Sequence, residues 1–390
     1  MNDNDLTQLT ERTADAYQRL FDSRPEAIAV APGRVEVLGN HTDYNGGYVL
    51  SAAIDRRTCI AAGKASGSML KVAALDMDQQ AAGDVAALKA DPAHAWASYP
   101  LGVADQVAKL PNAPALGGAN LAIHSAVPLG AGLSSSAALE VATALALQAL
   151  YPYEIEPMAL AQLCQRAENQ FVGVSSGLMD QFSSVFGRQD SLLFLDCRTL
   201  EHEALPMRAQ PVVFVVCNSM VKHVLTGGEY NSRRAECMEA ARKMGHALLR
   251  DATLGELEAA KGAMTDNEYK RARHVIGENE RVLQAKKAAK DGDMKRLGEL
   301  MAASHASSRD SFENSTPELD RLVEIALALP GCYGARLTGG GFGGAVLSLV
   351  QADQAESFRR EIAARYGKTI DQEPDTFICR MAEGASVETV

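Results

Sequence analysis

A single tryptophan stands in 390 residues, and aromatic residues make up 5% of the chain. They are not interleaved with basic side chains, so the stacking surfaces used on single-stranded nucleic acid are missing. Basic residues are also in deficit: 38 Lys and Arg face 49 Asp and Glu, for a net charge of −11. That balance argues against a general nucleic-acid partner, though not against a small anionic ligand held by a local glycine nest. The seven cysteines include no C-x-x-C spacing, which removes the usual zinc and redox motifs. They read as small buried side chains in a reducing compartment. No apolar run reaches membrane-spanning length, and the polar, acidic start Met1–Asp5 is unlike a signal peptide. The expectation is a soluble cytoplasmic protein. An ordinary P-loop is absent too: Gly367-Lys-Thr369 has its ending, but Ile362 occupies the first glycine position.

What is present is concentrated in four segments. The first is Pro128-Leu-Gly-Ala-Gly-Leu-Ser-Ser-Ser-Ala-Ala-Leu-Glu140, between a strand pattern at Ala119–His124 and a helical pattern at Ala137–Leu150. Two glycines permit close backbone approach, and three serines follow at a helix start, where free N–H groups and the helix dipole favour an anion. The chemistry suggested is polyphosphate binding; the plainer alternative is a flexible turn with a serine N-cap. A dinucleotide fingerprint fits only in part, because Ser135 stands where its third glycine belongs.

Gly339-Gly-Gly-Phe-Gly-Gly344 matches G-x-G-x-x-G by letter, but that fingerprint requires a helix after it. The next segment, Ala345–Val350, reads as a strand, so the cluster is a hairpin whose bare backbone can approach a ligand. Gly33–Gly47 carries Arg34, Glu36, Asn40, His41, Asp43 and Asn45 between two strands. A polar turn explains Asn45-Gly46 but His41 and Asp43 less well. Arg166–Gln181 places Glu168 at the end of one helix and Asp180 at the start of the next, where the dipole favours a carboxylate. Cys217–Glu236 runs from a buried strand through Lys222 and His223 into a helix bearing Tyr230, Arg233 and Arg234. Taken singly, each of these has an ordinary structural explanation.

Further helices are predicted over 7–21, 99–110, 157–171, 178–186, 229–249, 266–290, 293–307, 317–328 and 352–366. Strands are predicted near 27–30, 35–38, 48–50, 54–62, 70–75, 192–195, 211–216 and 375–379. The shift in composition near residues 200–210 divides the chain into domains at 1–205 and 206–390.

Taken in order, these segments resemble the GHMP small-molecule kinase superfamily, galactokinases most closely. Its three motifs correspond to Gly33–Gly47, Pro128–Glu140 and Thr338–Gly344, and the galactokinase-like segment Asn218, Glu229, Tyr230, Arg234 is present as well. The resemblance spans about Ala31 to Val350. It implies an α/β (α+β) fold of two α/β domains with the active site in the cleft between them. The implied activity is ATP-dependent phosphorylation of the anomeric hydroxyl of galactose to galactose 1-phosphate, by a monomer needing no nucleic acid or membrane.

By the same resemblance, Gly130, Ala131, Gly132, Leu133, Ser134, Ser135 and Ser136 would cradle ATP, with Trp96 and Tyr99 near adenine. Ser136 and Glu168 would hold Mg²⁺, a hard ion suited to oxygen ligands. Asp180 would lie beside the anomeric hydroxyl, as base or orienting group, with Arg34 close to it and to the transferring phosphate. Asn40, His41, Asp43, Gly177 and Tyr230 would contact the sugar. Two residues depart from the family's pattern. Asn40 replaces a Glu that faces the hydroxyl on the sugar's sixth carbon, and Glu36 replaces an Asn. The first opens an alternative, a related kinase acting on a sugar such as galacturonic acid. A non-catalytic sugar or nucleotide sensor and a dehydrogenase are the readings from other classes. The presence of Asp180 and Arg34 disfavours the sensor, and the strand after Gly344 disfavours the dehydrogenase.

Overall fold

The computed structural model describes residues 3–207, 211–221 and 228–390. Lys222 and His223, the basic pair in the fourth segment, lie outside the described residues. The strands in chain order are β1 (Ala27–Leu38), β2 (Tyr48–Ala65), β3 (Met69–Ala74), β4 (Gln79–Asp84), β5 (Gly118–Ser125), β6 (Ser191–Asp196), β7 (His202–Pro206), β8 (Val212–Asn218), β9 (Cys332–Thr338), β10 (Ala345–Gln351), β11 (Thr376–Cys379) and β12 (Ser386–Thr389). They form two sheets. The first runs β12-β1-β2-β5-β3-β4, with β6 and β7 continuing from the free stretch of β2. The second is a four-stranded antiparallel sheet, β11-β8-β10-β9.

Two long strands organise the first sheet. The paired predictions at 27–30 and 35–38 are one strand, broken in register at Pro32/Arg34, and 48–50 with 54–62 are likewise one. The shift at Pro32/Arg34 is a bulge that re-aims the strand next to Arg34. β2 pairs β6 through Tyr48–Ser51 and β5 through Thr58–Ala65, so its two halves serve different neighbours.

Apolar burial joins the sheets. One core cluster contains Val35, Leu38, Leu50 and Ile54 from the first sheet, and Phe214, Val216, Leu347 and Leu349 from the second. The helix Asp266–Asp291 adds Val282 and Ala285 to it. That helix starts with a capping box, Thr265 and Glu268, and ends at Gly292 with φ 72°. A shared core therefore ties the two sheets together.

Candidate active site

The phosphate-type loop owes its shape to backbone conformations that few residues tolerate. Gly130, Gly132 and Ser134 all have positive φ (71°, 71° and 58°). Ser134 makes no side-chain cap to the helix Ser135–Leu150, so the first amides of that helix stay open to a ligand. Its hydroxyl is buried and has no partner among the described residues. A Cβ on Gly132 would come 2.7 Å from the Thr338 carbonyl, so the loop and the glycine hairpin touch backbone to backbone. The two line a cavity of about 670 Å³ together with Arg34, Asp180 and Tyr99. Gly130 and Leu133–Ser136 are on its wall, while Ala131 is fully buried beneath it.

Arg34 is the junction of the site. Its Nε donates to Asp180 Oδ1 at 2.8 Å, and its Nη1 donates to the Gly132 carbonyl at 2.7 Å. One buried guanidinium thus binds the carboxylate at the start of the helix Met179–Phe186 to the phosphate loop. The backbone repeats the tie, Arg34 N–H donating to the Leu133 carbonyl at 3.1 Å.

Behind Ser136 lies an acidic pocket. Glu168 sits on a π-helical turn, Ala167–Val172, that continues the helix Pro157–Arg166. Burial raises its pKa, and the nearby Asp180 charge adds to the effect. Hydrogen bonds from Ser176, Gln181 and Ser136 act in the opposite direction. Gln181 Nε2 bridges Glu168 and Glu140, at 3.0 and 2.9 Å. Glu140 is fully buried, and burial followed by the Glu168 charge holds it protonated well above the usual carboxylate range. The hydroxyl of Ser136 and the carboxylate of Glu168 are neighbouring oxygen donors, the donor type that suits Mg²⁺. The ion commonly takes only one or two protein carboxylates and completes its shell with phosphate and water.

A second knot lies beside Asp180. Asp43 is pushed up to about 7, first by burial and then by the Asp180 charge. A Cβ on Gly177 would fall 1.8 Å from Asp43 Oδ2, so only glycine leaves room for that carboxylate. Tyr230 packs against His41 and Tyr44 at ring-centroid distances of 5.1 and 5.6 Å. His41 also stacks on Phe312 at 4.3 Å.

Asn40, His41, Asp43, Glu168, Gly177, Tyr230 and Trp96 are not on the cavity wall, and three of them, Trp96, Asn40 and His41, have their side-chain polar atoms engaged elsewhere. Trp96 does not line the cavity: its indole N–H donates to Gln79 Oε1 and its ring packs on the first domain's core. Tyr99 is the aromatic on the wall. Asn40 is 1% exposed, and its side chain is turned into the seam beneath the glycine hairpin. There it donates to the Gly339 carbonyl at 2.8 Å and accepts from Asn314 Nδ2 at 2.8 Å. Its side chain also acts to lower the pKa of Glu36, against the larger effect of burial. The structure thus gives Asn40, expected from the family resemblance to face the sugar's sixth carbon, protein partners in the seam. Both ring nitrogens of His41 are engaged as well, by the Tyr44 hydroxyl and the Gly340 carbonyl, and burial pulls its pKa down to about 3.

Sequence reasoning passed over Glu140, Gln181, Phe312, Asn314 and Arg336. An acid alone in the alanine-leucine run Ala137–Leu150 is a legible signal for Glu140. Nothing local marks Phe312 or Asn314, which matter only because the fold brings them under His41 and Asn40.

Three family models match the chain: the galactokinase galactose-binding signature at residues 15–64, the GHMP kinases N-terminal domain at 98–188, and the GHMP kinases C-terminal domain at 285–368. The chain is 42% identical over 385 residues to a galactokinase of Roseiflexus sp. (strain RS-1), covering 97% of this chain and 96% of the relative. It is 41% identical over 389 residues to the Homo sapiens galactokinase, covering 98% and 97%. A crystal structure of the Lactococcus lactis galactokinase complexed with galactose superposes with a TM-score of 0.91 at 32% identity, over 98% of this chain and 99% of that one. The Methanococcus jannaschii mevalonate kinase shares the fold, with a TM-score of 0.62 at 19% identity over 91% and 98% of the two chains.

Proposed function

The chain belongs to the galactokinase family of the GHMP kinases, and from that premise we propose how its own residues carry the reaction. The activity is ATP-dependent transfer of a phosphoryl group to the anomeric hydroxyl of galactose, giving galactose 1-phosphate. The observation that carries the assignment of roles is Arg34, bonded at once to Asp180 and to the phosphate loop. A sugar hydroxyl set against Asp180 is thereby held next to phosphates lying over Gly130–Ser136.

Phosphoryl transfer asks mainly for positioning and charge stabilisation. Asp180 accepts the hydrogen bond of the attacking hydroxyl and aims its oxygen at the terminal phosphorus. The Arg34 guanidinium faces the charge that gathers on the transferring group. The free amides at the start of the helix Ser135–Leu150 hold the polyphosphate. Asp43 and Tyr230 hold the sugar, and Gly177 leaves the space in which the Asp43 carboxylate sits. Ser136 and Glu168 would hold Mg²⁺, which when bound neutralises phosphate charge. Tyr99 offers the ring for adenine. The uronic-acid alternative was drawn from Asn40, and that side chain is turned toward the hairpin. The reading includes a cytoplasmic monomer; seven free cysteines are in keeping with a reducing compartment.

The test is incubation of the purified protein with ATP, Mg²⁺ and galactose, with the phosphorylated carbon located by NMR. Galactose 1-phosphate is expected, and Asp180→Asn is expected to abolish turnover while ATP still binds. Turnover at half the wild-type rate in that variant would remove Asp180 from its role.

A further inference from the structure

The two halves of the molecule meet along a seam in which residues 36–41 run beside residues 336–340. Side chains join them position by position. The Arg336 guanidinium lies 2.9 Å from the Glu36 carboxylate and donates to the Val37 carbonyl at 3.2 Å. Glu36 N–H donates to Thr338 Oγ1 at 3.0 Å. Asn40 Nδ2 donates to the Gly339 carbonyl at 2.8 Å. His41 Nε2 meets the next carbonyl, that of Gly340, at 3.1 Å, and Asn314 Nδ2 donates to the same oxygen at 3.0 Å. A carbonyl only accepts, so His41 Nε2 carries the proton and Nδ1 accepts from the Tyr44 hydroxyl.

These bonds also set the opposite face of the hairpin. Peptide units are planar, and all those of the described residues are trans, so each N–H points away from the carbonyl of its own unit. Holding the Gly339 and Gly340 carbonyls against Asn40 and His41 therefore fixes the N–H groups of Gly340 and Gly341 on the other side. Both glycines line the cavity, across from Gly130 and Gly132. The segment cannot set this orientation by itself. Gly339 and Gly341 have φ of 77° and 82°, and glycine backbone is the least restrained of any residue.

We infer that Asn40 and His41 are positioning residues for the nucleotide, acting through the hairpin. By holding two successive carbonyls they aim the Gly340 and Gly341 N–H groups at the polyphosphate of ATP, an anion that such backbone nests suit. The inference rests on the kinase reading of the cleft. It assigns to the first domain's sugar motif a task in the nucleotide half of the site.

Asn40→Leu keeps the side-chain volume and removes the donor. With ATP and galactose titrated in turn against the purified full-length enzyme, KM for ATP is expected to rise about fivefold, as for one lost oriented hydrogen bond. KM for galactose is expected to stay within about twofold of wild type on the same argument. Neither KM depends on the fraction of protein folded, so a poor yield does not imitate the result. Asn314→Leu removes the other donor to the Gly340 carbonyl, is expected to shift the values the same way, and decides the matter if Asn40→Leu does not fold. A rise in KM for galactose with KM for ATP unchanged overturns the inference and puts Asn40 on the sugar. Equal rises, or no change, overturn it as well. Wild-type protein that phosphorylates no galactose would instead overturn the kinase reading, so the two failures are told apart.

Discussion

Asp43 holds its proton to about pH 7 because burial and the Asp180 charge both penalise its anion, while the Tyr44 N–H favours it. This sets the sign for sugar binding. Below that pH the carboxyl is protonated and has lost acceptor capacity toward sugar hydroxyls; above it the carboxylate is ready. KM for galactose is therefore expected to rise as pH falls below 7, by at most about tenfold per unit for one proton. KM for ATP serves as the control, and the slope should vanish in Asp43→Asn. A slope that survives that substitution would assign the titration to another group. Gly177→Ala offers an uncharged route to the same carboxylate, since its Cβ would overlap Asp43 Oδ2. It is expected to raise KM for galactose by about tenfold or more through lost hydrogen bonds, with KM for ATP little changed. Arg34, Asp43, Glu168 and Asp180 each had an ordinary explanation when taken singly; they stood out in the sequence only through the order of the four segments and the family resemblance that order carries. The relation of Glu36 to Asn40 did not stand out. Read as two separate departures from the family's pattern, they are partners in one buried network with Arg336. Arg336 lies 300 residues on from Glu36, and no local pattern announces such a meeting.

Elements differed in how openly they declared themselves. β8 and β10 are nearly continuous apolar runs, buried almost throughout, and both were foreseen. β4, β7 and β12 were missed: they are edge or terminal strands, largely polar and exposed, without an alternating pattern to show a buried face. The predicted helix 229–249 stops at Lys243, just before Gly245 takes φ 79°. π turns escape periodicity altogether, since they add a residue to an otherwise helical pattern, and here they carry Glu168 and Phe312. The first of them gives an element-scale prediction. Glu168 has Ser136 as a hydrogen-bonding neighbour and is surrounded by the charge of Asp180 and the carboxyl of Glu140. Glu168→Gln removes the anionic oxygen and is expected to shift the Mg²⁺ titration of activity to higher concentration. Direct Mg²⁺-dependent nucleotide binding should shift with it. Superimposable titrations would make Glu168 a structural residue only.

At the scale of the whole molecule, the proposed domains 1–205 and 206–390 share a core, and one strand of the second joins the sheet of the first. The sheets part company in the segment between Pro206 and Val212, yet β12 returns from the far end of the chain to pair with β1. Apolar residues of both sheets meet in one cluster. Such an arrangement favours a single cooperative unfolding transition over two. The Glu36–Arg336 pair tests how firmly the halves are joined. Arg336 is fully buried and Glu36 is 2% exposed, and burial raises the Glu36 pKa against the opposing pull of Arg336. Arg336→Met removes the cation and strands that acid in the seam, an error that costs about 3–5 kcal/mol for a buried pair. Glu36→Gln combined with Arg336→Met removes both charges of the pair and leaves the neighbouring buried Glu278 to its remaining partner Arg281, so much of the loss should be recovered. Urea denaturation followed by far-UV circular dichroism and by Trp96 fluorescence would measure both variants. Trp96 packs against the first domain's core, so its signal reports that half, while the circular dichroism reports all the helices and strands. Coincident transitions are expected in the wild type and in the double variant. If the Trp96 transition separates from the circular dichroism already in the wild type, the seam does not bind the two domains into one folding unit.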